Sequence, residues 1–247
     1  MRKPTHKFLL LFFLAGPAVA QMPATAPPET PPRMAPTRQS FYLAPSAIAF
    51  EKILAPPPAA PSRAYTDDLQ VILDLQRSRT DAEAKAAMAD AEISPFRFAD
   101  VLGPEFRADK LPLTVQFLRQ ATSDAVRSAG AAKDHFNRLR PYAASTEVRP
   151  ILEKTGSSGS YPSGHSTYGH TLGIILALMV PEKSSELFDR AARYGRSRIV
   201  AGMHYPTDVD AGRICAAVVV NALLHNAEFL ADFERSRAEV RQALGYK

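Results

Sequence analysis

A single cysteine, Cys215, serves the whole chain, so no disulfide can form within it. The apolar run from Ile214 to Val220 surrounds it, and it reads as a buried small hydrophobe. A chain of 247 residues without internal cross-links must be held by its core, and it is long enough to build one. Apolar runs of spanning length are also missing. Leu172 to Val180 and Ile214 to Leu224 both fall short of the ~20 residues a membrane helix needs. The chain has no strand-like run outside helical patterns, no internal repeat, no Gly-x4-Gly-Lys-Ser/Thr loop and no Gly-x-Gly-x-x-Gly turn. A His-Glu-x-x-His pair and a dense aspartate cluster are absent too, so no metal site and no cofactor is expected. One-signed charge is lacking once the N-terminus is set aside. Residues 1–20 hold Arg2, Lys3 and Lys7 and no acid, which leaves 27 bases against 25 acids, a balance of +2. Nucleic acid is therefore not an expected partner.

What the chain does have begins with a basic start, Arg2 to Lys7, and an apolar stretch from Phe8 to Leu14. Ala18-Val19-Ala20 supplies a small-x-small site, so residues 1–20 read as a signal peptide cleaved before Gln21, with export and no lasting membrane insertion. Residues 21–62 form a Pro-rich segment and linker. Within it Phe41, Tyr42, Leu43, Ile48 and Phe50 carry enough apolar surface to dock on the domain. Residues 63–247 read as one helical domain. Leu69, Ile72 and Leu73 repeat at helical spacing. Thr80 with Glu83 makes a capping box for a helix expected to run to about Ile93. Pro112 opens another, burying Val115, Leu118, Ala121, Ala125 and Ala129, with the pattern resuming from Lys133 to Leu139. Ser163 caps a long helix that stops at Pro181, Ser184 or Ser185 starts the next, and Pro206 and Thr207 open one more. A charged helix covers about Asp232 to Leu244. The fold class is all-α.

Chemistry concentrates in three blocks: Lys133-x6-Arg140-Pro141, Pro162-Ser163-Gly164-His165 and Ser197-Arg198-x5-His204-x3-Asp208. Three cations, two histidines and a carboxylate in this order suit phosphoryl transfer. Lys133 and Arg140 are seven apart, nearly one face of a continuous helix, and could reach one anion from one side; with Arg138 nearby, the alternative is a solvated basic face. Ser163 and Gly164 enter a helix whose first amides point outward, a natural phosphate cradle faced by His165. If helical geometry holds, Asp208 faces His204 and holds one imidazole nitrogen, leaving the other to attack phosphorus. Arg198 adds a bidentate clamp. Asp210 reads as a structural acid and His170 as a core contact, while His135 and His225 have no supporting constellation.

On these three blocks the chain resembles the bacterial class A non-specific acid phosphatases, within the type 2 phosphatidic acid phosphatase and vanadium haloperoxidase superfamily. Gly159 to His165 and Asp208-Val209-Asp210-Ala211-Gly212-Arg213 look like the secreted class. The resemblance covers roughly residues 60–247. It implies a single compact multi-helix domain of the type 2 phosphatidic acid phosphatase-like fold and a periplasmic, metal-independent homodimer. The implied activity is hydrolysis of many small-molecule phosphomonoesters, with phosphate passed in some members to an alcohol. By the same resemblance His204 carries the phosphoryl group, Asp208 orients it and His165 is the general acid. Lys133, Arg140, Ser163, Gly164 and Arg198 match the phosphate-binding positions. His204-Tyr205-Pro206-Thr207-Asp208 looks more like the broader superfamily, lipid phosphatases included, so a lipid or isoprenoid phosphate phosphatase is the alternative. A vanadate-dependent haloperoxidase resembles the same residue set but is generally a much longer chain.

Overall fold

The computed structural model describes residues 40–154 and 159–246, and the expected signal peptide and residues 21–39 of the Pro-rich segment lie outside that range. Among the described residues there are helices and turns and no strand, so the domain is all-α as read from the sequence. The longer helices are α1 (Arg63–Ser78), α2 (Asp81–Ala89), α3 (Pro112–Ser128), α4 (Gly130–Phe136), α5 (Gly164–Met179), α6 (Ser184–Val200), α7 (Pro206–Leu223) and α8 (Ala227–Leu244).

Four of these helices start on a short polar side chain, Ser62, Thr80, Ser163 or Asn226. Ser62 accepts from the Tyr65 amide at the start of α1, and Thr80 and Glu83 form the reciprocal box at the start of α2. Three boundaries differ from expectation. Helix α2 stops at Ala89 rather than near Ile93, because the Asp90 side chain turns inward to buried arginines. Helix α4 stops at Phe136, since Asn137 is left-handed (φ 40°) and breaks the run that was expected to reach Leu139. Helix α8 starts at Ala227, well before Asp232, because Asn226 caps the Phe229 amide at 2.9 Å and Phe229 is fully buried.

Helix α5 lies at the centre. Leu172, Ile175 and Leu176 are inaccessible to solvent, and it is apolar nearly all round, as a helix enclosed by others must be. It packs most extensively against α6 and α7. Helix α7 rides on the first turn of α5 because residue 212 is glycine: a Cβ there would sit 2.6 Å from the Ser163 carbonyl oxygen. That crossing brings Ser163 beside Asp208, and the Ser163 amide donates to the Asp208 carbonyl at 2.9 Å.

The stretch before α1 packs into the same core. Tyr42, Phe50 and Leu54 are buried there, while Phe41 stays partly exposed. Buried Asp124 of α3 accepts the backbone amides of Phe41, Tyr42 and Leu43, at 2.7 Å for Tyr42. Residues 39–247 form one compact unit. Cys215 is buried in the core. Among the described residues no single helix is long and apolar enough to cross a membrane.

Candidate active site

Helix α7 begins with Pro206, so His204 lies just outside it and Asp208 occupies its first turn. The two face each other across the helix entry rather than across a helical turn. Asp208 Oδ2 accepts from the Tyr205 amide at 2.9 Å, from Ser160 Oγ at 2.5 Å and from His204 Nδ1 at 3.3 Å. Its Oδ1 accepts from Arg138 Nη1 at 2.8 Å. Asp208 is wholly buried, and burial raises its pKa, yet the donors from His204, Arg138 and Ser160 outweigh that and the carboxyl stays ionised below its usual range. An ionised carboxylate only accepts, so His204 Nδ1 carries the hydrogen. Arg140 Nη1 sits 3.1 Å from Nε2, and a guanidinium only donates, so Nε2 holds a lone pair.

Lys133 and Arg140 do not share a helical face. Lys133 projects from α4 and donates to the carbonyls of Gly159 and Pro162, at 2.8 and 2.7 Å. Arg140 lies beyond the left-handed Asn137, at the entry to the short turn Pro141–Ala144. Arg140 Nη1 reaches His204, and the charge of Lys133 acts on the same imidazole. Arg198, near the end of α6, is 4% exposed, and its Nε and Nη1 find no hydrogen-bond partner among the described residues. Its own carbonyl accepts from the amides of Met203 and His204, which fixes the loop carrying His204 to α6. Ser163 caps α5 by accepting from the Ser166 amide, as read from the sequence. Gly164 opens that helix at the site rim, with His165 beside it.

These groups act on one another. Burial, then Arg140, lowers the Lys133 pKa to about 8. Burial lowers Arg198 to about 10, with Arg140 adding to the shift. His165 falls to about 4 through burial and the nearby Arg198, with Arg140 and Lys133 adding. His204 falls to about 3, through burial partly opposed by Asp208. Both imidazoles are therefore neutral at mild pH. The cations Lys133, Arg138, Arg140 and Arg198 stand against the carboxylates Asp68 and Asp208, a balance of +2 opposite in sign to a phosphate dianion. Among the described residues no group of three or more His, Cys, Asp or Glu could hold a metal ion.

Arg138 is no part of a solvated basic face: it is buried and bridges Asp208 to Asp68 of α1, at 2.8 Å on each side. It lies over the Tyr205 ring at 3.7 Å. Thr207 joins the same network through Asp68 and Arg138. Ser160, seen only as loop, touches both Asp208 and His204. Helical periodicity in α1 could have flagged Asp68, which shares a buried face with Ile72. The Gly159 to His165 motif contains Ser160 but gives it no role of its own. His170 is buried against the Ser166 carbonyl at 2.9 Å, a core contact as expected, while Asp210, His135 and His225 lie exposed.

Relatives place this geometry. A bacterial vanadium-dependent iodoperoxidase superposes with a TM-score of 0.53 at 19% identity, over 72% of this chain and 53% of that one, a likeness of fold. An acid phosphatase from Zymomonas mobilis subsp. mobilis is 32% identical over 199 residues, covering 77% of this chain and 75% of the relative. A non-specific acid phosphatase from Salmonella typhimurium is 31% identical over 219 residues, with 85% and 86% covered. The PAP2 superfamily model matches residues 114–230, the span holding all eight site residues read from the sequence. The chain thus belongs to the PAP2 superfamily and is related there to the class A non-specific acid phosphatases.

Proposed function

We propose that this protein is an acid phosphatase that hydrolyses a broad range of phosphomonoesters through a phosphohistidine on His204. The observation that carries the reading is the orientation of His204. Its Nδ1 is held by Asp208 and its Nε2 lone pair points at a guanidinium, with the charges of Lys133 and Arg140 acting on the ring. Relatives named acid phosphatases support the activity. Lys133, Arg140, Arg198, the Ser163 hydroxyl and the α5 amides from Gly164 onward hold the phosphoryl oxygens, and Arg140 moves from Nε2 to one of them. The phosphate dianion draws a proton onto His165 as it binds; Nε2 of His204 then attacks phosphorus, the bond to the leaving oxygen breaks, and His165 gives that oxygen its proton. Water then attacks the phosphohistidine, His165 takes the water's proton, and phosphate leaves with Nε2 restored. An alcohol in place of water gives phosphotransfer. The cations supply the charge that a metal supplies elsewhere, so turnover proceeds in chelator. The basic-apolar N-terminus and the secreted-class motifs support a periplasmic enzyme, and the relationship to that class supports a homodimer.

Rapid quenching with labelled p-nitrophenyl phosphate tests the mechanism. Label is expected on His204, and His204→Ala is expected to be folded and inactive. Label elsewhere, or near-normal turnover in that variant, overturns the reading. A panel of nucleotides, sugar phosphates, aryl phosphates and phosphatidate, with and without chelator, sets the substrate range. A preference for phosphatidate would favour the lipid alternative.

A further inference from the structure

The imidazole of His165 is aimed by a turn that holds none of the residues assigned so far. Its Nε2 lies 3.1 Å from the carbonyl oxygen of Ala91. A carbonyl only accepts, so Nε2 carries the hydrogen of the neutral imidazole, and Nδ1 is the nitrogen that takes up the exchangeable proton and passes it to substrate. Ala91 belongs to the turn that leaves α2, and a buried carboxylate pins that turn. Asp90, 3% exposed, accepts from both terminal nitrogens of Arg190, at 2.6 and 3.1 Å. Ser197 Oγ donates to it at 2.9 Å and Arg97 Nε at 3.1 Å. Arg190 Nε in turn donates to the Arg97 carbonyl, and the Tyr194 hydroxyl donates to the Glu92 carbonyl at 2.7 Å. The Tyr194 ring also stacks beside His165, with centroids 6.3 Å apart. Four donors on one buried carboxylate are more than is needed to end a nine-residue helix.

We propose that Asp90 is a positioning residue for proton transfer: it fixes the turn whose Ala91 carbonyl sets the tautomer and aim of His165. The inference rests on His165 being the general acid. Asp90 touches no reacting atom. Its loss lets the turn relax, the Ala91 carbonyl drift and the imidazole sample the tautomer with its hydrogen on Nδ1 and the wrong nitrogen toward the carbonyl. Proton delivery suffers, while phosphate binding and attack by His204 remain.

The test compares an alkyl ester with an aryl ester, because a poor leaving group needs the proton and a good one does not. In Asp90→Asn, kcat on glycerol phosphate is expected to fall on the order of 10²-fold, the scale of a misaimed catalytic group. The fall on p-nitrophenyl phosphate is expected to be only a few-fold, with KM for both nearly unchanged. Added to His165→Ala, the same substitution should cost nothing more. Ser197→Ala removes one bond to Asp90 and should shift the alkyl-to-aryl ratio the same way, by less. Equal losses on both esters, a loss that adds to that of His165→Ala, or an unchanged ratio in folded Asp90→Asn overturns the proposal. Where Asp90→Asn does not fold, an unchanged ratio in Ser197→Ala overturns it. Equal losses on both esters in His165→Ala alone would instead defeat the general-acid reading. Normal discrimination there, with a neutral Asp90→Asn, defeats only the role of Asp90.

Discussion

Asp208 has two carboxylate oxygens and four donors, and the division between them decides what His204 can do. Oδ1 is taken by Arg138, and Oδ2 by Ser160, the Tyr205 amide and His204. An amide in its place would present a donor to one of these donors and free His204 to turn its hydrogen onto Nε2. Asp208→Asn is expected to lower kcat on the order of 10⁴-fold, the scale of a histidine left in the wrong tautomer. Stopped-flow turnover of an aryl phosphate measures it, and a loss under tenfold would mean that Asp208 does not set the tautomer. His165 gives a second expectation. Burial and Arg198 hold its pKa down to about 4 in the ligand-free site, and a phosphate dianion beside it favours the charged form. Between pH 4 and the raised value, phosphate binding takes up a proton, so affinity falls as pH rises through that value. Calorimetry with sulfate, a dianion that does not itself titrate there, in buffers of different ionisation enthalpy reads the uptake directly, and zero uptake at pH 5 to 6 would place His165 away from the anion. The three blocks were legible as an order and a spacing, and the structure brings Arg140, His204 and Asp208 from them into contact. Arg138 was not legible. Its inward course depends on the left-handed Asn137 and on Asp68 arriving from another helix, neither of which neighbouring residues announce.

At the scale of elements, the close crossing of α7 over the start of α5 couples two halves of the site. Gly212→Ala would place a methyl 2.6 Å from a backbone oxygen, where no side-chain motion can relieve it. We expect a loss of about 1–3 kcal/mol in urea unfolding. We also expect a raised KM, because the shift strains the Ser163 amide bond to the Asp208 carbonyl at the proposed phosphate cradle. Lost stability with an unchanged KM would uncouple the crossing from the site. Helices were readable where a local signal starts them: the Thr80–Glu83 box, Pro112, Ser163 and Pro206 all open helices within a residue. They were misread where the deciding contact is distant. Asp90 ends α2 through Arg190, a hundred residues away in the chain, and the early start of α8 is secured by burial of Phe229 against Phe117 and Tyr42.

For the molecule as a whole, the all-α class followed from apolar residues recurring at helical spacing with no alternating run. The enclosure of α5 by its neighbours did not, since an unbroken apolar helix looks the same in a core as in a membrane. The seating of residues 41–54 was legible only as apolar content. Asp124 secures that seat by binding three consecutive amides, a partner that sequence distance hides. This seat has a topological consequence. Between it and α1 runs a short stretch exposed at Ala55, Pro56, Ala59, Ala60 and Pro61, joined to the rest by the Tyr161 hydroxyl on the Ala55 carbonyl. Covalent continuity there is dispensable, because Tyr42, Phe50 and Leu54 are held by burial and Asp124 by its three amides. A protease site inserted between Ala59 and Ala60 and then cut should yield a nicked, active protein. Its two pieces should co-elute on gel filtration and separate only in denaturant. The smaller piece, added back as a peptide, should restore the thermal stability that the larger piece lacks alone.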